Sequence, residues 1–213
     1  LQIDPGYVPP EIENREIFGV TLQQQRNTAV ITRETFRNVV TSQKQVPDDV
    51  LETLVVATVA LKYTQSNSVC VAYDGQVIGM GAGQQSRIHC TRLACDKADK
   101  WFLQQHPRVL GAQFQRGVKR VDKFNLIDQY LMWEQLSQTE EAAMLAGFTT
   151  PPEPLTNPER TAWIAQYNGI CLSSDAFIPF RDNVDRASRS HMQYIAQTGG
   201  GLRHADVIAA AEQ

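Results

Sequence analysis

The sequence predicts an α/β fold in which helices pack on a mixed sheet. Strand-like and helix-like patterns of apolar residues alternate along the chain, which is typical of helices layered on a sheet. The dipeptide Asp74-Gly75 separates two strand-like segments and is a strong signal for a β-hairpin. At least one strand pair should therefore be antiparallel, and the sheet should be mixed.

The elements follow in order from local signals. Pro47 and two acidic residues begin the first helix, because acids favour the positive helix end, and Pro107 ends the second helix. The predicted helices are residues 48–61, 86–105, segments near 126–136 and 140–146, a short helix from 157, 182–190 and 204–213. The predicted strands are residues 68–73, 76–80, 169–172 and 192–196.

Composition excludes several classes of protein. The chain has 213 residues and a net charge of −3, whereas a dedicated nucleic-acid binder is normally basic. The longest apolar run, residues 54–61, is far shorter than the roughly 20 residues of a membrane helix. Four cysteines are too few for a disulfide scaffold. These features, without a secretory signal at the start, predict a cytoplasmic protein with reduced, largely buried thiols.

The glycines of Gly79-x-Gly81-x-Gly83 precede the second helix. The spacing matches neither a dinucleotide fingerprint nor a P-loop. One interpretation is a strand-to-helix turn that needs close backbone approach or positive φ. The other is a single phosphate held at the helix N-terminus, with Arg87 as a fork.

His89, Cys90 and Cys95 suggest zinc, but the sequence has no H-x-E or P-C-x-x-C motif of the zinc deaminases. We therefore expect no zinc. Residues 86–123 hold nine Lys or Arg against three Asp. A solvated helix face explains most of them, and attraction of an anionic substrate is the alternative.

Two polar segments are further candidates. Residues 62–68 are polar, are not expected in a core, and could cap a helix or line a hard-cation site. Residues 173–182 place Asp175 and Asp182 on either side of an aromatic and proline patch after a strand, where α/β folds bind ligands. Those aromatics either contact a planar ligand or pack beneath the loop.

Three segments taken together resemble one family, the 5-aminoimidazole-4-carboxamide ribonucleotide (AICAR) formyltransferases. They are Lys-Tyr-Thr-Gln-Ser-Asn-Ser-Val at residues 62–69, Gly-Ala-Gly-Gln-Gln-Ser-Arg-Ile-His-Cys-Thr-Arg at 81–92, and Ser-Ser-Asp-Ala-Phe-Ile-Pro-Phe-Arg-Asp-Asn-Val-Asp at 173–185. The resemblance covers most of the chain and is weakest over residues 131–166. It implies a cytidine-deaminase-like three-layer α/β/α fold without zinc, a homodimer, and 10-formyltetrahydrofolate as co-substrate.

The resemblance also implies roles for individual residues. Asn67, Arg87 and Phe177 would bind the nucleotide. Ile88, Asn125, Pro179 and Asp182 would bind the folate. The Leu61 carbonyl with Thr64, Ser66, Ser68 and Asp175 would form a potassium site.

The sequence departs from the family in two places. The family's catalytic Lys-His pair has no counterpart here, since the sequence contains no Lys-His dipeptide. The family's C-terminal Arg-Leu-Phe-His-His segment is also missing from the sequence. Residues 1–3 are interpreted as the middle or end of a strand. We therefore expect residues 1–213 to be part of a formyltransferase domain, mostly its second deaminase-like subdomain, truncated at both ends and inactive alone. A non-catalytic nucleotide- or folate-binding remnant is the alternative.

Overall fold

The first of two compact units is a β-hairpin. The structure is a computed structural model that describes residues 2–213, and it divides after Ile31. In the first unit β1 (Ile12–Ile17) pairs antiparallel with β2 (Val20–Gln25). The turn residues Phe18 and Gly19 have φ of 51° and 77°, as a tight hairpin turn requires. This hairpin is not predicted from the sequence, because Phe-Gly is not a common turn pair.

The strand predicted at residues 1–3 is wrong for residues 2 and 3, which have no regular structure. Leu1 lies outside the described residues.

The second unit contains the remaining helices and strands. They are α1 (Asp48–Lys62), β3 (Val69–Tyr73), β4 (Gln76–Gly81), α2 (Arg87–Leu103), α3 (Pro107–Leu110), β5 (Gln113–Phe114), α4 (Arg120–Leu131), α5 (Gln138–Ala146), β6 (Phe148–Thr150), α6 (Asn157–Ile164), β7 (Cys171–Ser174), α7 (Asp182–Arg189), β8 (Tyr194–Ala196) and α8 (His204–Ala211). Each element predicted after residue 47 has a counterpart. The largest error is the segment near 126–136, where the helix begins six residues earlier at Arg120 and a 3-10 turn follows at Trp133–Gln135.

A four-stranded mixed sheet lies at the centre of the second unit, in the order β4-β3-β7-β8. β3 is antiparallel to both β4 and β7, and β7 is parallel to β8. The hairpin predicted at Asp74-Gly75 is confirmed, with Tyr73 paired to Gln76. No helix within residues 2–213 is both long and apolar enough to cross a membrane.

Helices cover both faces of this sheet. Val69 and Val71 of β3 pack in one core cluster with residues of α2, whereas Cys70 and Ala72 pack in another with α1. Successive residues of a strand point to opposite faces, so β3 is buried on both sides. The three-layer α/β/α architecture is confirmed.

Close contact between α2 and β4 explains two of the three glycines. A Cβ on Gly79 would lie 2.1 Å from the Ala94 carbonyl oxygen, and one on Gly81 would lie 2.2 Å from that of Cys90. Gly83 has φ of +66°, which favours glycine. The turn interpretation of this motif is therefore confirmed. All four cysteines are buried and free, as predicted.

Polar contacts join α2 to α7. Thr91 Oγ1 donates to Asn183 Oδ1 at 2.8 Å, and both residues are buried. Arg186 Nη2 donates to Asp96 at 2.6 Å and to Asp99 at 3.1 Å. Because Thr91 contacts Asn183 near the start of both helices and the Asp residues contact Arg186 further along, α2 and α7 run in the same direction.

Replacing Gly79 or Gly81 with alanine should reduce the free energy of unfolding by about 3 kcal/mol, because the new Cβ meets helix backbone that cannot move without separating α2 from the sheet. Urea unfolding measures the change. Gly111→Ala is the control, since its Cβ would meet only Pro107 O, at 3.1 Å; it should cost less than about 1 kcal/mol. Equal effects of the three variants would contradict this account.

Burial raises the pKa of Asp99, against the opposing effects of Ser190 and Arg186. The folded state therefore binds this proton more readily than the unfolded state, and stability contributed by Asp99 falls as pH rises through the folded-state pKa. The unfolding free energy of the wild type minus that of Asp99→Asn should decrease from about pH 3 to about pH 7.

Asp185 provides the opposite case. Hydrogen bonds from Arg181 lower its pKa, so its contribution is lost as pH falls, and the same difference measured against Asp185→Asn should increase with pH. Slopes of the same sign for Asp99 and Asp185 would refute both assignments.

Candidate functional site at the sheet edge and the α2–α7 cleft

The sheet brings four connecting segments to one edge. There Val69 pairs with both Gly81 and Ser174, and Ser173 pairs with Ala196. The segment before β3 and the segments after β4, β7 and β8 are therefore neighbours. Most of the residues singled out in the sequence lie in these segments or in the first turn of α2.

Arg87, the first residue of α2, directs its side chain inward. The side chain is only 5% exposed. Nη1 donates to the Ser68 carbonyl at 2.8 Å and to the Asp175 carboxylate, and Nη2 donates to Asn67 Oδ1 at 3.0 Å. A guanidinium has five N–H donors, so these contacts leave the Nε–H and one Nη2–H. A ligand held by Arg87 must approach those two donors.

Asn67 is held in one orientation by its neighbours. Its Nδ2 donates to the Gln84 carbonyl at 3.0 Å while its Oδ1 accepts from Arg87. Two backbone hydrogen bonds, Gly83 N to Gln65 O and Gln84 N to Asn67 O, join the same two segments. The Asn67 amide therefore retains one N–H and one lone pair, which suit a polar amide or carbonyl group of a ligand.

Asp175, at the end of β7, completes the ion pair with Arg87. Burial alone would raise its pKa, but hydrogen bonds from Ser66, Arg87 and the Ser68 backbone outweigh burial and lower the pKa below its usual value. The carboxylate is thus ionised beside a buried guanidinium, and the pair is electrically neutral.

The residues of the predicted potassium site lie together. Thr64 Oγ1 donates to the Leu61 carbonyl at 2.9 Å and lies 3.0 Å from Ser68 Oγ. Ser68 N donates to Asp175 Oδ1 at 3.1 Å. Carbonyl, hydroxyl and carboxylate oxygens are the ligands that hard cations prefer, so the donor set fits a potassium ion. The expectation that residues 62–68 avoid the core is wrong for Ser68, which is fully buried.

A cleft of about 440 Å³ lies between α2, α7 and the end of α8, which is within the usual size range for small-molecule sites. Ile88 and Asp182, predicted as folate contacts, both line it. Ile88 follows Arg87 directly in the chain. The first turn of α2 therefore directs one residue into the buried polar cluster and the next into the cleft.

The loop after β7 exposes aromatic side chains. Phe177 and Phe180 are 44% and 52% exposed, whereas Ile178 between them is buried and Pro179 is half-buried. Ile178 and Pro179 therefore anchor the loop, and the two rings remain accessible. A Cβ on Gly201 would lie 2.8 Å from the Phe177 ring, so the glycine-rich segment after β8 lies against this ring.

Asn125 is not brought to this site. It is exposed on α4 and is not among the residues that line the cleft. The three residues that suggested zinc also differ in solvent exposure, since His89 is exposed while Cys90 and Cys95 are buried. Across residues 2–213, no three His, Cys, Asp or Glu side chains are grouped to hold a metal ion.

The basic residues of segment 86–123 differ in burial and in ion pairing. Arg87 is buried, whereas Lys100 pairs with Asp128 at 2.5 Å and Arg108 with Glu159 at 2.7 Å. These three have structural partners, so they do not form one common anion-attracting surface.

Two supporting residues were missed in the sequence. Gln84 supplies the carbonyl that holds Asn67, and Gln197 Oε1 accepts from the Ile178 backbone at 2.6 Å. Gln84 lies within residues 81–92, which resemble the family, but it holds Asn67 through its backbone carbonyl, which residue type does not reveal. Gln197 is 19 residues from Ile178, and only the pairing of β7 with β8 brings the two together.

Asp175→Asn should destabilise the protein by about 3 kcal/mol at neutral pH, because it leaves the Arg87 guanidinium buried without a counter-charge. Urea unfolding measures the loss. Asp185→Asn is the matched control, because Asp185 pairs with Arg181 at the surface, where an ion pair contributes little to stability. A loss at Asp175 as small as that at Asp185 would show that the buried pair is not structurally important.

The N-terminal part of the chain is similar to a known protein family. A model of the AICARFT/IMPCHase bienzyme family matches residues 1–97. The matched residues include the hairpin unit, α1, β3, β4 and most of α2, and so they contain Asn67, Arg87 and Ile88; the loop that carries Asp175 and Phe177 lies beyond them. Residues 1–97 are therefore similar to part of a family that acts in purine biosynthesis.

Proposed function

We propose that the protein takes part in transfer of a formyl group from 10-formyltetrahydrofolate to the 5-amino group of AICAR. The observation that carries the proposal is the first turn of α2. Arg87 there orders the polar cluster around Asn67, and Ile88 lines a cleft with Asp182. Two substrates could thus bind on either side of one helix end, as a group transfer between them requires. The family match gives the binding-only alternative no support.

In this proposal the chain's residues bind and orient. Asn67 offers an N–H and a lone pair to the carboxamide of AICAR, and Phe177 offers its exposed ring to the planar base. Asp182 accepts hydrogen bonds from ring N–H groups of the folate in the cleft. Pro179 would contact the folate from the neighbouring loop. Asn125 would contact the folate only if the ligand extended beyond the cleft, because Asn125 lies on another surface of the molecule.

The reaction needs help beyond orientation. The acceptor amine is a poor nucleophile because its lone pair is delocalised into the ring and carboxamide. It must lose a proton, and the tetrahedral oxyanion that forms must be stabilised. The Lys-His pair of the family, which we propose handles the protons, has no counterpart in residues 1–213, so it would be supplied by further parts of the natural protein.

Two parts of the proposal concern assembly and ions. Leu61, Thr64, Ser66, Ser68 and Asp175 would hold a potassium ion that supports the loop after β7. The active protein would be a homodimer, as the resemblance implies.

The proposal predicts separate effects on the two substrates. In the natural full-length protein, Asn67→Ala should raise the KM for AICAR about ten-fold and leave the KM for the folate nearly unchanged, because it removes about one to two hydrogen bonds to the nucleotide alone. Asp182→Asn should do the reverse. Formation of the formylated nucleotide, followed by chromatography, measures both.

Asp122→Asn, an exposed change on α4, serves as the control and should change neither KM. Absence of formyl transfer by the wild-type protein would sink the proposal. Equal effects of Asn67→Ala and Asp182→Asn on both substrates would contradict the division of the site.

A further inference from the structure

The cleft between α2 and α7 contains two arginines that form no ion pair, although Arg189 lies close enough to Asp185 to help lower its pKa. Arg92 and Arg189 both line it and are exposed. Among the described residues, neither guanidinium makes a hydrogen bond or ion pair with the protein. Asp185, four residues before Arg189, is held by Arg181 through hydrogen bonds of 3.0 and 2.9 Å. Asp96, four residues after Arg92, accepts from Arg186 at 2.6 Å. The two guanidiniums therefore remain available to an anionic ligand.

The charges that line the cleft change along the length of α2 and α7. Since α2 and α7 run in the same direction, their first turns lie together at the sheet edge, and these carry Ile88 and Asp182. Arg92 lies about one turn further along α2, and Arg189 about two turns further along α7. The end of the cleft at the sheet edge is therefore apolar and acidic. One turn further along, Arg92 lies level with Asp185, and Arg189 lies at the far end.

We propose that Arg92 and Arg189 bind the carboxylates of the glutamate tail of the folate co-substrate. The inference rests on the proposed function. A folate carries its hydrogen-bonding ring at one end and its glutamate carboxylates at the other, so a ring placed at Asp182 directs the tail towards the arginines. Guanidinium groups bind carboxylates through paired N–H donors, and two of them suit a tail with more than one carboxylate.

The expected strength of this contact is modest. Both arginines are exposed, and an exposed ion pair contributes roughly 0.2–1 kcal/mol, so each should change affinity about two- to five-fold. The contribution should grow with the number of glutamates in the tail and should decrease as salt is added.

Binding measurements on the natural full-length protein test the proposal. Calorimetric titration would use three probes, which are a pterin without a tail, folic acid with one glutamate, and pteroylpentaglutamate. Arg92→Gln/Arg189→Gln should weaken pentaglutamate binding about ten-fold, folic acid less, and the tail-less pterin not at all. Arg→Lys replacements at the two positions keep the positive charge but lack the paired N–H donors of a guanidinium, so they should give intermediate losses of affinity.

Lys97→Gln is the matched control. It removes the same charge from the same helix, but Lys97 donates to the Met80 carbonyl and does not line the cleft, so it should leave all three affinities unchanged. The proposal is overturned if the double variant weakens all three probes equally or none of them. In either case wild-type binding of the tail-less pterin would leave the proposed function intact, whereas failure of the wild type to bind any of the probes would refute both.

Discussion

The ion pair between Arg87 and Asp175 is the contact on which the candidate site depends. One guanidinium joins three parts of the chain that are distant in sequence, because it contacts the Ser68 carbonyl, the Asn67 amide and the Asp175 carboxylate. Neither charge is well solvated, so each requires the other. The pair therefore determines where the segment before β3 and the loop after β7 lie, and with them Asn67 and Phe177.

Helix α2 has two structural roles. Its contact with β4 is so close that only glycine fits at residues 79 and 81, which sets the position of its first turn against the sheet edge. Its contacts with α7, through Thr91 and through Asp96 and Asp99, set the width of the cleft. A single helix thus places the buried polar cluster on one side and a solvent-accessible cleft on the other.

Most of the fold in the second unit was predictable from local signals. Residues 68–73 and 76–80 are strand-like segments on either side of Asp74-Gly75, a common hairpin turn pair. Long helices such as α2 have clear ends. The hairpin of β1 and β2 was not predictable in this way, because Phe18-Gly19 supports the turn through backbone geometry without a common turn sequence. The early part of α4 was missed because four of residues 119–124 are charged and all six are exposed, so that little apolar periodicity marks them.

Three features could be predicted from residue order alone: the α/β class, the glycines at close backbone contacts, and the family resemblance, which the match over residues 1–97 supports. These depend on residue type at short spacing, which is local information. Three others follow from the three-dimensional arrangement: Arg87 is buried with its donors mostly engaged, Asn125 lies away from the cleft, and Arg92 and Arg189 face the same space as Asp182. Burial and pairing depend on which distant segments meet at the sheet edge, and strand order and helix direction control those meetings.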